Sequence, residues 1–263
     1  MENKSSEIYK ENFTEYLLCL ALDIGEGMLK NGAEISRVED TIERICHAYG
    51  AVHVEVFTII SMINAAVRMP DGSYSSQLRR VKSTGTNLTK LERLNALSRE
   101  ICSSKITLEE VEARIHEIRN DTPYPIWVLI LSYAAVAGGF TFFFAGGVLD
   151  AVIAALAGVV VALVDFLPSK RLNKMAKTLI SSFFIAMIAG LGVLAGVGDN
   201  GGAIIMGAIM LLVPGVAFGI AMRDLLCGDL MAGILRTLQA VLLALMIAFG
   251  YMLAFEILGG VAI

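Results

Sequence analysis

Ile126-Trp-Val-Leu-Ile-Leu-Ser-Tyr-Ala-Ala-Val-Ala-Gly-Gly-Phe-Thr-Phe-Phe-Phe-Ala145 is a run of twenty residues without a charge. A helix of that length, rising about 1.5 Å per residue, crosses the ~30 Å hydrocarbon core of a bilayer. Immediately upstream, Pro123 and Pro125 punctuate the chain, and Tyr124 with Trp127 suits an interfacial aromatic anchor. Downstream, four more stretches of the same kind follow, at about 148–167, 178–197, 203–222 and 233–258. Short joints separate them: Gly146-Gly147, then 168–177, then Gly198-Asp-Asn-Gly-Gly202, then 223–232.

The whole chain agrees with this reading. Of its 263 residues, 56% are apolar and 17% charged, with mean hydropathy +0.69 and net charge −4. A soluble domain carries roughly 45–50% apolar and ~25% charged residues. The charges are unevenly placed: 33 stand in residues 1–120 and 13 in 121–263. The expectation is a small α+β cytoplasmic domain over 1–120, followed by a transmembrane domain of five helices over 121–263. A pI near 5.5 and the lack of a dominant basic tract exclude a nucleic-acid-binding surface.

Lys170, Arg171, Lys174 and Lys177 lie in the second joint, and Arg223 and Arg236 in or beside the fourth. The first and third joints carry no Lys or Arg. Basic residues mark the cytoplasmic side, so the N-terminus is expected inside and the C-terminus outside an inner membrane. The opening Met1-Glu-Asn-Lys-Ser-Ser-Glu7 does not read as a signal peptide, since its nearest apolar run, 16–22, leads directly into Asp23 and Glu26.

Within 1–120, Phe13, Leu17, Leu20, Ile24 and Met28 recur at helical spacing and end at Asn31-Gly32. Ser36-x-x-Glu39 has capping-box spacing and predicts the start of a second helix, with Ile35, Val38, Ile42, Ile45 and Tyr49 as its stripe. Strict alternation at 52–57 predicts a strand, with others at 63–69 and 77–82 around the turn Pro70-Asp71-Gly72. Thr89-x-x-Glu92 and Thr107-x-x-Glu110 predict two more helix starts. The four cysteines (Cys19, Cys46, Cys102, Cys227) and the three histidines lack metal-ligand spacing, so no metal or cofactor is expected.

Ionisable groups near lipid face a cavity or a partner, because their desolvation is costly. Those here are Asp150, Asp165 and Glu256 within the spans, and Arg223, Asp224, Asp229 and Arg236 around the fourth joint. For Asp150 and Glu256, an interfacial group reaching water weighs as much as a functional one. Asp165 is placed to pair with a basic residue of the neighbouring joint. Pro214-Gly215 interrupts the fourth span, since proline removes a backbone donor and clashes with the preceding turn. A helix broken at membrane depth is tolerated where protein or a water-filled cavity meets its freed polar groups, a recurring way to build transport sites. A kink that merely shapes the bundle is the plainer alternative.

Two segments carry a family resemblance. Gly32-Ala-Glu-Ile-Ser-Arg-Val-Glu-Asp40 resembles the N-terminal signature of the threonine/serine exporter family, through Gly32, Glu34, Arg37, Glu39 and Asp40. Pro214-Gly215, Arg223-Asp224-Leu225, Gly228-Asp229, Gly233 and Arg236 are similar to that family's membrane signature. The resemblance implies a cytoplasmic N-domain, about five helices, and export of threonine and serine or of dicarboxylates such as succinate. It also implies a partner: the chain resembles the larger subunit of the split form, which needs a small membrane subunit carrying the remaining helices. A hetero-oligomer is therefore expected, with self-association as a further option.

Three functions are in play. In the first, the chain is a secondary exporter subunit: Pro214, Gly215, Arg223 and Arg236 meet a carboxylate, while Asp165, Asp224 or Asp229 couples transport to the proton gradient. No G-x-x-x-x-G-K-[ST] is present, which argues against ATP-driven export by this chain. In the second, the N-domain is a sensor, gate or assembly platform, with Glu34, Glu39 and Asp40 docking on the 170–177 joint. In the third, Glu34, Glu39, Asp40 and His47 form the acid–base cluster of a membrane-anchored hydrolase. Against that, Glu39–Glu43 and Asp40–Arg44 spacing better fits a solvated helix face.

Overall fold

The fold is described from a computed structural model covering residues 13–82, 84–104, 106–121, 124–168 and 172–259. Met1 to Glu7, Pro123, Lys170 and Arg171, all invoked above, lie outside the described residues. The chain divides into two compact units. One is formed by the chain up to Asp121 together with Val216–Thr237, the other by Thr122–Gly215 and the chain from Leu238.

The first unit is built around α1 (Phe13–Lys30), which is buried on more than one side. Leu17, Leu18, Leu22, Ile24, Met28 and Leu29 are all fully buried, so the helix is the centre of a core. The predicted stripe captures part of this face, although Phe13 at its end is exposed. Against α1 pack α2 (Ile35–Ala48), a meander of β1 (His53–Ile59), β2 (Met62–Arg68) and β3 (Tyr74–Arg80), then α3 (Leu88–Ser104) and α4 (Leu108–Asn120). The sheet is antiparallel in the order β1-β2-β3, with Phe57, Asn64 and Leu78 in register across it. Alternation puts Ile63, Ala65 and Val67 of β2 on the core face. Of the predicted helix starts, Thr107 does cap α4, accepting from Glu110 N–H. α3 begins earlier than predicted, with Asn87 accepting from Lys90 N–H.

The second unit contains α5 (Ile126–Phe143), α6 (Val148–Asp165), α7 (Lys174–Leu194), α8 (Gly201–Ile209) and the later part of α10 (Leu230–Ile257). Its core is made of small and β-branched side chains: Ala137, Ala154, Ala157, Val161, Ile185 and Ala189. Close backbone approach explains that composition, since in lipid packing replaces the hydrophobic drive. A Cβ on Gly158 would stand 2.7 Å from the Tyr133 carbonyl oxygen. Ser182 of α7 donates to the Ile247 carbonyl of α10 at 2.6 Å.

Among the described residues four helices, α5, α6, α7 and α10, are long and apolar enough to cross a membrane, against the five expected. The stretch 203–222 is the difference. It forms α8, of nine residues, and then α9 (Gly215–Cys227), with a non-helical link over 210–214. Nine residues reach about 14 Å, half of what a crossing requires. Pro214 brings no N–H and its ring excludes the preceding turn, so the helix stops before it and restarts at Gly215. The α10 helix, by contrast, runs 28 residues, about 42 Å, and its first turns group with the first unit.

Candidate functional site

Because Val216–Thr237 belongs to the first unit, the two signature segments fold together. α1 ends at Lys30, and the chain turns through Gly32, whose φ of +98° is open to glycine at little strain. Asn31 assists by donating from its side chain to the Gly27 carbonyl. The turn aims the Ala33 carbonyl and the first N–H of α2 at the hairpin made by α9 and α10.

That hairpin is tight. Gly228 takes φ +96° between the helices, and the Asp229 N–H returns to the Asp224 carbonyl at 2.9 Å. A Cβ on Gly233 would lie 2.5 Å from Leu225 Cγ and 3.0 Å from the Ala221 carbonyl oxygen, so only glycine admits this approach. Ala232 is buried in the same core as Leu17 and Ile35.

Asp224 is the centre of the cluster. Its Oδ1 accepts from the Ile35 backbone N–H at 3.2 Å, and its Oδ2 lies 3.2 Å from Arg236 Nε. Arg236 Nη2 donates to the Ala33 carbonyl at 2.8 Å. Around this pair, Arg223 Nη1 is 2.9 Å from Glu34 Oε1, and Arg37 approaches the other Glu34 oxygen at 3.9 Å. Asp224 is essentially inaccessible, whereas Arg223 is more than half exposed. Burial raises the Asp224 carboxyl above the usual carboxylate range, against the pull of Arg236 and the Ile35 N–H. Among the described residues Asp224 Oδ2 takes no hydrogen bond, the Arg236 contact being off alignment.

The N-terminus of α2 differs from its prediction for this reason. Ser36 is not the cap: the helix starts at Ile35, after Glu34, whose side chain makes no capping bond. The first orphan N–H is met by Asp224, 189 residues away. Glu39 is likewise used elsewhere, accepting from the Thr58 N–H of β1 at 2.7 Å. Burial raises its carboxyl, and Asp229 adds to the rise while the Thr58 N–H opposes it. Asp40 pairs with Arg44 one turn on, at 2.7 Å. Glu34, Glu39 and Asp40 thus face three different partners and do not converge on one point.

Of the sequence-derived site residues, the structure brings together Gly32, Glu34, Arg37, Arg223, Asp224 and Arg236, with Glu39 and Asp229 in electrostatic reach of each other. Pro214 and Gly215 supply the helix break. Asp165 stands apart, at the end of α6: its carboxylate accepts from the Tyr133 hydroxyl at 2.9 Å. Lys177 of the neighbouring joint donates to its backbone carbonyl and not to its carboxylate. The sequence carries no sign of the roles of Ala33 and Ile35, which act through their backbones, and Asp150 is buried, not an interfacial group reaching water. Asp150 accepts from the Gly147, Asp199 and Asn200 N–H groups at 2.8, 2.9 and 3.2 Å. Among the described residues no group of three or more His, Cys, Asp or Glu is arranged to hold a metal.

Four apolar helices make this a multi-pass membrane protein, with a mixed α/β unit bearing a buried ion-pair cluster. The family described as "Putative threonine/serine exporter" matches residues 19–258, so the chain belongs to the threonine/serine exporter family. It is similar to a "Probable threonine/serine exporter" of Mycobacterium tuberculosis, 23% identical over 92% of this chain and 46% of that protein. It is also similar to pheromone-regulated membrane protein 10 of Saccharomyces cerevisiae, 26% identical over 70% of this chain and 50% of that one. The namesake in Zygosaccharomyces rouxii is 23% identical over 89% of this chain and 24% of its own length. The chain thus spans half or less of the length of these relatives. No solved structure matches it.

Proposed function

We propose that the chain forms part of a secondary exporter of small carboxylate-bearing metabolites, threonine and serine or a dicarboxylate such as succinate, driven by the proton gradient across an inner membrane. The observation that supports this reading is the meeting of both signature segments at Asp224 and Arg236. A guanidinium binds carboxylates in a planar fork, and Arg236 spends one arm on the Ala33 carbonyl while its Nε faces Asp224. Protonation of Asp224 would weaken its hold on Arg236 and free that fork for a substrate carboxylate. Loss of the proton would restore the pair and release the substrate. Asp224 is in this reading the proton-coupling group, Arg236 the carboxylate receptor, and Arg223 with Glu34 an outer pair that opens with them. Asp165 and Asp229 have second claims as titrating groups. The break at Pro214-Gly215 supplies the local freedom such a cycle needs.

The α+β unit lies in the cytoplasm in this scheme, on the side marked by Lys174, Lys177, Arg223 and Arg236, and its α2 gates the cluster. A complete transport pathway requires further membrane helices, supplied by a small partner subunit or by more of the same polypeptide. The relatives, about twice as long where the Mycobacterium protein is concerned, support that need. The broad exposed apolar surface of α5, with Trp127, Leu131 and Phe143 well exposed, offers a face for lipid or for such helices.

Cells producing the chain with candidate second halves, loaded with labelled L-threonine, L-serine or succinate, provide the test. Efflux that collapses with a protonophore and with Arg236→Gln is expected. Efflux equal to wild type in Arg236→Gln, at matched membrane levels, would refute the assignment.

A further inference from the structure

A second polar site lies in the first unit, away from Asp224. Between α2 and α3 runs a cleft of about 320 Å³ whose rim carries Arg37, Arg44 and Arg99. Thr41 and Ser98, both buried, and Asn95 form part of its lining. Charge in this cleft is unbalanced. Asp40, its one carboxylate, is held by Arg44 Nε, and Arg37 has a single long approach to Glu34 at 3.9 Å. Arg99 has no ion pair among the described residues. The Ser98 hydroxyl donates to the Asn95 carbonyl and the Asn95 amide to the Leu91 carbonyl, both within α3. These bonds leave the Ser98 oxygen and the Asn95 Oδ1 as acceptors beside the guanidinium groups.

Three guanidinium groups on one concave surface repel each other, and an oxyanion that accepts from their unused N–H groups relieves that repulsion. The volume is at the small end of ligand sites and suits a metabolite of a few carbon atoms. The acceptors beside the guanidinium groups would also receive an ammonium or hydroxyl borne by the same ligand. We propose that this α2–α3 cleft is a binding site for a small metabolite oxyanion, a carboxylate or a phosphate, held by Arg37, Arg44 and Arg99. The site is separate from the transport cluster yet linked to it by one side chain. Arg37 and Arg223 share the Glu34 carboxylate, so an anion that draws Arg37 into the cleft leaves Glu34 wholly to Arg223. Occupancy then tightens the outer pair of the cluster.

The test uses the full chain in nanodiscs, titrated calorimetrically with succinate, L-threonine or inorganic phosphate, each against sodium chloride at equal ionic strength. Saturable binding of at least one oxyanion is expected, and the arm that binds identifies carboxylate or phosphate as the recognised group. Arg99→Gln should weaken that binding about tenfold, the loss of one charge-assisted contact, and Arg99→Lys less. Arg93→Gln, which removes an arginine paired with Asp121 on α3, should leave it unchanged. No saturable binding in any arm overturns the proposal. So does binding that survives Arg99→Gln unchanged, and its disappearance in Arg236→Gln would place the ligand in the transport cluster. Because the readout is binding to the isolated chain, it stands or falls independently of whether the chain exports anything.

Discussion

Asp150 and Asp224 are equally buried, at 2% and 1% exposure, and they do opposite things. Asp150, three residues into α6, collects three backbone N–H groups from its own helix start and from the loop before α8. Every one of those donors is fixed by main-chain geometry, so the carboxylate is held from all sides and clamps two loops of the second unit. Asp224 has a single N–H, that of Ile35, and an arginine whose approach is off alignment. One of its oxygens is left short of partners. The difference separates two ways of holding a buried carboxylate: one is wrapped in backbone donors, and the other is shared between a helix terminus and a buried arginine side chain.

The largest expected effect breaks the Asp224–Arg236 pair. Arg236→Met leaves Asp224 buried without its cation and should destabilise the first unit by about 3 kcal/mol. Adding Asp224→Leu removes the stranded charge and should recover more than half of that loss, in thermal unfolding of the purified chain in detergent. Both variants should be silent in efflux. A double variant no more stable than the single would show that the two residues are not energetically paired.

Breaking the clamp comes next. Asp150→Ala strands three N–H donors and should cost about 2 kcal/mol, with Asp150→Asn recovering part of it. Efflux per folded molecule should stay near wild type, since Asp150 only holds loops. A severe loss of efflux at full stability would make Asp150 a transport residue and erase the contrast.

The pH dependence sharpens the comparison further. Asp224 is raised above the ordinary carboxylate value of about 4, so the folded chain binds this proton where the unfolded chain has released it. Its contribution to stability is therefore present at low pH and lost as pH rises through the raised pKa. Asp23, buried beside Arg79 and Arg119, and Glu39 are raised in the same direction. Asp224→Asn should consequently flatten, without abolishing, the fall in melting temperature as pH rises just above 4. An unchanged slope would mean that Asp224 titrates normally.

What the sequence made legible follows the range of the interactions. The apolar runs that became α5, α6, α7 and α10 declare themselves residue by residue, as do the alternation that became β1 and the Thr107 cap. The interruption at Pro214 was equally local, yet its consequence was not. Nothing near 203–222 says that the part beyond Gly215 groups with the first unit, because that depends on Ala232 finding the core around Leu17 and Ile35. The start of α2 failed for the same reason. Ser36-x-x-Glu39 has the spacing of a capping box, but Glu39 is taken by Thr58 and the helix end by Asp224. The residues of the site were visible as two separate motifs, and what joins them, a carbonyl at Ala33 and an N–H at Ile35, carries no side-chain signature at all.

The smallest effect on stability is also the most discriminating. Arg223 is more than half exposed, and its pair with Glu34 sits at the edge of the cluster. Exposed ion pairs contribute less than about 1 kcal/mol, so Arg223→Gln should fold and insert like wild type. If the outer pair merely decorates the surface, efflux should be unaffected. If it closes the cluster, Arg223→Gln should raise the Km for the exported carboxylate several-fold, and Glu34→Gln should do the same because it removes the other half of the pair. The double variant should then be no worse than either single, since one interaction cannot be lost twice. Additive losses would instead mean that Arg223 and Glu34 act on the substrate separately, with Glu34 answering to Arg37 and not to Arg223.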